Sequence, residues 1–126
     1  MHRSRLYGLF VDTPAAEAPA AAAFWSAALG TPAVPEEHEP QFTMLREALP
    51  ALTLGVQAVD DAPRYHVDIE TDDHDAEAAR LTALGAVEIN RWLDCHIMRA
   101  PGGHLLCVVP VHSAPELFAA HCTVWP

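Results

Sequence analysis

RYHVDIETDDHDAEAARLTALG, residues 64–85, is the stretch that decides the fold. Residues 64–71 alternate polar and apolar side chains, the mark of a half-buried strand. Residues 72–84 then read as an amphipathic helix. Ala76, Ala79, Leu81 and Leu84 form its apolar side, and acids fill its first turn, where they suit the helix dipole. Gly85 stops it. The same order occurs earlier in the chain. Residues 5–12 read as a strand, Thr13-Pro14 breaks it, and residues 15–29 form a helix that ends at Gly30, with Pro32 beyond. Both helices close on Ala-Leu-Gly, Ala28-Leu29-Gly30 and Ala83-Leu84-Gly85, offset by 55 residues.

Short strands follow each helix. Residues 41–46 and 52–59 fit this reading after a Pro- and Glu-rich loop over 31–40. Residues 87–90, 92–99 and 105–111 fit it in the second half, the last two joined by Pro101-Gly102-Gly103, a turn with no helix behind it and so not a phosphate loop. The pattern is an internal repeat of strand, helix, strands. A tail over 112–126 remains, with Ser113 as a helix cap and Pro115 in the first turn. Leu117, Phe118 and Trp125 in it are too apolar for water and are expected to dock on the domain or on a second copy.

The chain has 126 residues, 51% of them apolar, which suffices for one domain with a core. Seventeen acids face seven bases, all arginine, for a formal charge of −10. Phosphate backbones and anionic bilayers need basic patches, so nucleic acid and membrane are not expected partners. No apolar run reaches the length of a membrane span, and the alanine-rich stretch near the start lacks the basic flank of a signal peptide. Cys95, Cys107 and Cys122 are odd in number and lack a C-x-x-C, so reduced thiols in a cytoplasmic protein are expected.

Several stretches together resemble the vicinal oxygen chelate superfamily and its glyoxalase-like domains. They are Phe24-Trp25-Ser26-Ala27-Ala28-Leu29-Gly30, His66-Val67-Asp68-Ile69-Glu70-Thr71-Asp72-Asp73, Asp75-Ala76-Glu77-Ala78-Ala79-Arg80-Leu81, Leu84-Gly85-Ala86 and residues 98–109, MRAPGGHLLCVV. The resemblance covers roughly residues 5–111. It implies an α+β fold in which two βαβββ units, residues 5–60 and 64–111, form a U-shaped mixed sheet with helices outside and a ligand cavity within. Homodimers are common among such proteins. The superfamily includes lyases, isomerases, dioxygenases, glyoxalases and bleomycin-resistance-type binding proteins, so the fold leaves the activity open.

Strand alternation assigns candidate cavity residues. Tyr65, Val67 and Ile69 should pack under the second helix, which turns His66, Asp68 and Glu70 inward, with Glu70 at the rim. Leu106 and Val108 should pack outward, leaving Leu105, Cys107 and Val109 inward. Leu93, Cys95 and Ile97 form one set of the seventh strand, and Trp92, Asp94, His96 and Met98 the other, taken as inward. Gln57 faces in from the fourth strand. Phe24 and Trp25 are read as core.

The resemblance places His66 where the family carries a metal histidine. The last-strand carboxylate lies four residues after the turn glycine, which here is Cys107, and the first strand offers only Tyr7 or Gly8. A divalent metal is therefore disfavoured, and no cofactor is expected. The expected function is binding of a small organic molecule, with Gln57, His66, Asp68, Trp92, Asp94, His96 and Leu105 as ligand contacts. One alternative is a metal-free lyase or isomerase using His66 and His96 as acid and base, with a Cys107–His66 nucleophile pair also open; Cys107 has the plainer reading of a small buried hydrophobe. The other alternative is a metal-dependent glyoxalase or dioxygenase relative. Acids beside histidines favour a cationic or hydrogen-bond-donating ligand.

Overall fold

The computed structural model describes residues 1–126. In chain order the elements are β1 (His2–Pro14), α1 (Ala18–Leu29), β2 (Ala33–Pro35), β3 (Phe42–Leu45), β4 (Thr53–Val59), β5 (Arg64–Thr71), α2 (His74–Ala83), β6 (Val87–Trp92), β7 (Cys95–Arg99), β8 (Leu105–Pro110), α3 (Pro115–His121) and β9 (Thr123–Trp125). The fold is α+β, with the βαβββ order occurring twice. Contacts divide it into two compact units, Gly8–His66 and Met1–Tyr7 with Val67–Pro126. No helix is long and apolar enough to cross a membrane.

In the unit Gly8–His66, β1 runs parallel to β4, and β4-β3-β2 continue antiparallel. The short β2 lies inside the stretch read from sequence as a loop; the prolines of that stretch, Pro32, Pro35 and Pro40, hid a strand of three residues. Helix α1 begins with Pro19 in its first turn and ends at Gly30, whose φ of 67° is the left-handed stop. Its Ala22 packs with Leu45, Leu54 and Val56, and Leu9, Val11 and Trp25 close the cluster. Phe24 departs from the expected core role. It is 62% exposed and lies perpendicular to the Trp25 ring at 5.3 Å, while Ala22 and Ala21 of the same helix face the core.

In the other unit, β5 is parallel to β8, and β8-β7-β6 are antiparallel. Ala78, Ala86, Met98, Leu106 and Val108 form the core, with Val67, Ile69 and Leu81 against it. The apolar side of α2 differs from the helical reading, since Ala79 and Leu84 are exposed and Glu77 is fully buried. Glu77 is satisfied by Arg80 in two hydrogen bonds and by His2 Nε2 at 2.8 Å. Burial raises its pKa, but the hydrogen bonds from Arg80, Ser4 and His2 outweigh that and bring it down to about 2. Asp73 caps α2 by accepting from the Ala76 amide.

The tail docks on its own chain. β9 pairs with the start of β1, His2 opposite Trp125. Phe118 is buried beneath the Arg3 guanidinium, and Arg80 lies 3.7 Å from the centre of the Trp125 ring. Ser113 does not cap α3, which starts after Ala114. Its hydroxyl donates instead to Glu70 at 2.6 Å, and the amides of His112 and Ser113 donate to the other carboxylate oxygen. With Arg5 at 3.2 Å, these contacts bury Glu70 completely, so it is an anchor for the tail and not a rim residue.

Candidate functional site

The face of the unit Gly8–His66 turned away from α1 follows from pairing. Gly8, Phe10 and Asp12 of β1 lie opposite Thr53, Gly55 and Gln57 of β4, and Phe42 and Met44 of β3 continue the row. Gly8 and Gly55 have no side chains, so the Phe10 ring lies down over the strands beside them. A Cβ on Gly55 would come within 3.2 Å of that ring and 3.1 Å of the Met44 sulfur. Phe42 meets Phe10 edge-on at 5.7 Å, and the His66 imidazole stacks on it at 5.2 Å with 13° between planes.

Asp12 supplies the polar part. Its Oδ2 accepts from His66 Nδ1 at 2.8 Å and from Arg64 Nε at 3.0 Å, while the buried Oδ1 accepts no hydrogen bond. Arg64 also reaches Asp61 at 2.6 Å. The hydrogen bond to Asp12, then the one to Asp61, hold the guanidinium above its ordinary pKa. Arg64 thereby offsets a carboxylate that would otherwise be costly to bury. Because Nδ1–H is committed to Asp12, the neutral imidazole carries its lone pair on Nε2, the tautomer of an oriented base or ligand. Asp12 was not among the residues singled out from sequence. Its signal was there: an acid two residues after Phe10, opposite in parity to Leu9 and Val11.

Gln57 and His66 lie on the face just described, with Gln57 opposite Asp12 in register. Asp68, Leu105 and Cys107 lie on the face of the other unit turned away from α2, where Asp68 is the register partner of Cys107. Trp92 is 63% exposed and joins that face through its pairing with Cys95. No cysteine is in a disulfide.

His96 and Asp94 are not where alternation put them. Leu93 and Asp94 form the two-residue turn between β6 and β7, with Leu93 at φ 54°. Counting Leu93 as a strand residue set the wrong parity for β7. Met98 and His96 therefore face α2, in the core beside Val108 and Leu106, and Asp94 is 71% exposed at the turn. His96 is 1% exposed, and its Nδ1 donates to Glu88 Oε1. Arg91 and, after it, His96 hold Glu88 below the usual carboxylate range. His96 Nε2 meets His74 Nδ1 at 3.0 Å. Beside this pair is a pocket of about 220 Å³ lined in part by Asp75, Glu88, Arg91 and Met98.

The first strand presents Gly8, not Tyr7, to the Asp12 face. A Cβ on Gly8 would stand 2.7 Å from the Thr53 carbonyl oxygen, so a ligating side chain has no room there.

Comparison with known proteins places these features in context. A family model described as a glyoxalase-like domain matches residues 8–109. No curated protein matches the sequence. Among solved structures, a hypothetical protein from Bacillus halodurans C-125 is similar with a TM-score of 0.65 at 10% identity, over 90% of this chain and 98% of that one. Methylmalonyl-CoA epimerase from Mycobacterium tuberculosis is similar with a TM-score of 0.55 at 19% identity, over 90% of this chain and 91% of that one. The Streptomyces coelicolor methylmalonyl-CoA epimerase, in complex with 2-nitronate-propionyl-CoA, gives 0.56 at 16% identity, over 86% and 98%. At these identities the likeness speaks for the fold.

Proposed function

The chain belongs to the glyoxalase-like domain family of the vicinal oxygen chelate superfamily, and on that footing we propose that it binds a small organic molecule against the Phe10–His66 face. The observation that carries this reading is the Asp12–His66 hydrogen bond beneath an aromatic stack. It combines an apolar platform with one oriented polar group, the usual composition of a small-molecule site. Phe42, Thr53 and Gln57, all half-buried, complete the face. Of the two acids behind the expectation of a cationic or hydrogen-bond-donating ligand, Asp94 lies at a solvated turn while Asp68 keeps its place opposite Cys107; on the face described here Arg64 offsets Asp12, and the reading is of a ligand that brings a hydrogen-bonding group.

The family's divalent metal has no part in this reading. Its positions give His66 and Gln57, a glycine on the first strand and Cys107 on the last, which is a poor donor set for an open divalent site.

A second reading is favoured by the same hydrogen bond. A histidine whose tautomer is fixed by a buried carboxylate is built to take a proton at Nε2. The chain would then be a lyase or isomerase with His66 as its base, and the epimerase names among the structural neighbours agree with that reaction class. His96 has no part in it, since it faces α2.

The two readings separate in one experiment. A library of small neutral, cationic and anionic compounds is screened by thermal unfolding on the wild type and on the Phe42→Ala and His66→Ala variants. Binding at this face predicts hits whose stabilisation shrinks in both variants. Hits are then followed for chemical conversion by mass spectrometry: a sequestering protein converts none and loses only affinity on His66→Ala, whereas an enzyme converts a hit, and its His66→Ala variant retains weakened binding and loses turnover. Hits that stabilise all three proteins equally would remove the reading.

A further inference from the structure

On the opposite side of the other unit's sheet, His74, Asp75 and His96 are arranged as a ligand set. His74 Nδ1 and His96 Nε2 are 3.0 Å apart. Asp75 Oδ1 stands 3.5 Å from the first and 3.3 Å from the second. Ligand atoms held 2.0–2.1 Å from a zinc ion at the tetrahedral angle stand about 3.4 Å apart. The three atoms already form nearly that triangle.

The outer nitrogens are arranged to match. His96 Nδ1 is bound to Glu88, which fixes its tautomer and leaves Nε2 as the inward lone pair. His74 Nε2 faces Asp94 Oδ1 at 3.6 Å. Without an ion, His74 Nδ1–H donates to His96 Nε2. When an ion arrives, that proton leaves or reappears on Nε2, where Asp94 can receive it. Each histidine thus has a carboxylate behind it, as metal-bound histidines usually do. His74 sits at the positive end of α2, and the carboxylates of Asp75, Glu88 and Asp94 offset that dipole.

We propose that His74, Asp75 and His96 bind one divalent transition-metal ion of the zinc class. Two imidazoles and a carboxylate suit zinc, cobalt or nickel over magnesium or calcium, which prefer oxygen ligands throughout. Three protein ligands leave a position for water. His74 is 33% and Asp75 72% exposed, so the ion can enter from solvent while buried His96 fixes its place. The ion would tie the start of α2 to the β6–β7 hairpin. The site shares no residue with the Phe10–His66 face, so it stands or falls separately from the proposed function.

The test is titration of the purified chain with Co²⁺, read by visible absorption, followed by displacement with Zn²⁺. One equivalent of Co²⁺ is expected to bind and to release protons on binding. His74→Ala, at a half-buried side chain, and Asp75→Asn, at an exposed one, are each expected to weaken binding by at least roughly tenfold with circular dichroism unchanged, while His66→Ala titrates as wild type. His96→Ala serves as a third variant if it folds. Absence of stoichiometric binding overturns the proposal. So does binding that persists in His74→Ala and Asp75→Asn, or that is lost in His66→Ala.

Discussion

Asp12 and His66 are 54 residues apart in sequence and joined at 2.8 Å, carboxylate to Nδ1, in a buried pair. The pair decides which nitrogen of His66 carries the proton in the neutral ring.

That control is open to measurement. In the wild type, nitrogen chemical shifts should show His66 protonated at Nδ1 when neutral. Asp12→Ala should abolish the preference and cost about 1–3 kcal/mol, because the His66 and Arg64 donors lose a buried acceptor. A ring that keeps the same tautomer in this variant would show that something other than Asp12 sets it.

Glu77 makes stability depend on acid. Its folded pKa is about 2 against an ordinary 4.5, so the unfolded chain takes up its proton first as pH falls. The stabilisation is complete above pH 4.5, shrinks through the window down to pH 2, and is gone below it. At roughly 1.4 kcal/mol per pH unit it amounts to about 3 kcal/mol. Urea unfolding of Glu77→Gln should show a lower stability than wild type at pH 7 and a flatter slope between pH 4.5 and 2, the two proteins converging at the acid end.

Two glycine substitutions should differ in cost for different reasons. Gly8→Ala places a methyl 2.7 Å from a backbone oxygen, which must move, at a cost of about 1–3 kcal/mol. Gly30→Ala meets nothing within 4 Å and pays only for its φ of 67°, about 1 kcal/mol. Urea midpoints rank the two, and Gly8→Ala should fall lower.

Removal of residues 112–126 should destabilise the chain by about 3 kcal/mol or more. It takes three donors from the buried Glu70 carboxylate, exposes the site of Phe118 and strips β9 from β1. Glu70→Gln in the full chain should also destabilise, by about 3–5 kcal/mol, because Arg5 keeps its buried charge and loses the carboxylate opposite it. Denaturation curves of the two proteins decide. A truncated chain as stable as the full one would show that the tail is ornamental.

The fold was legible because its signals were local. Leu29-Gly30 and Leu84-Gly85 stop two helices, and the alternation of Val67 with Asp68 sets a strand that is right to the residue. Faces on β8 and over most of β5 followed for the same reason, with Tyr65, expected under the second helix, left 61% exposed near the strand's start. β7 failed because Leu93, an apolar residue in a turn with positive φ, mimics a strand position and shifts parity by one. Glu70 was misplaced and the burial of Glu77 missed because their distant partners leave no local signal: Ser113 lies 43 residues from Glu70, and His2 lies 75 from Glu77. Asp12 was missed likewise, its histidine lying far along the chain. The candidate face was therefore half readable: the orientation of His66 and Gln57 followed from alternation, and Asp12 joined them only once the strands were paired.

The pairing of His2 with Trp125 brings both ends of the chain to one spot. A short glycine–serine bridge could join them, and the backbone could be reopened at the exposed Asp60-Asp61 turn without cutting a strand. Such a circular permutant would have its new termini beside Arg64, and a reporter fused there would sit within a few residues of His66. A tag placed before residue 1 or after residue 126, by contrast, would crowd the Trp125–Arg80 contact.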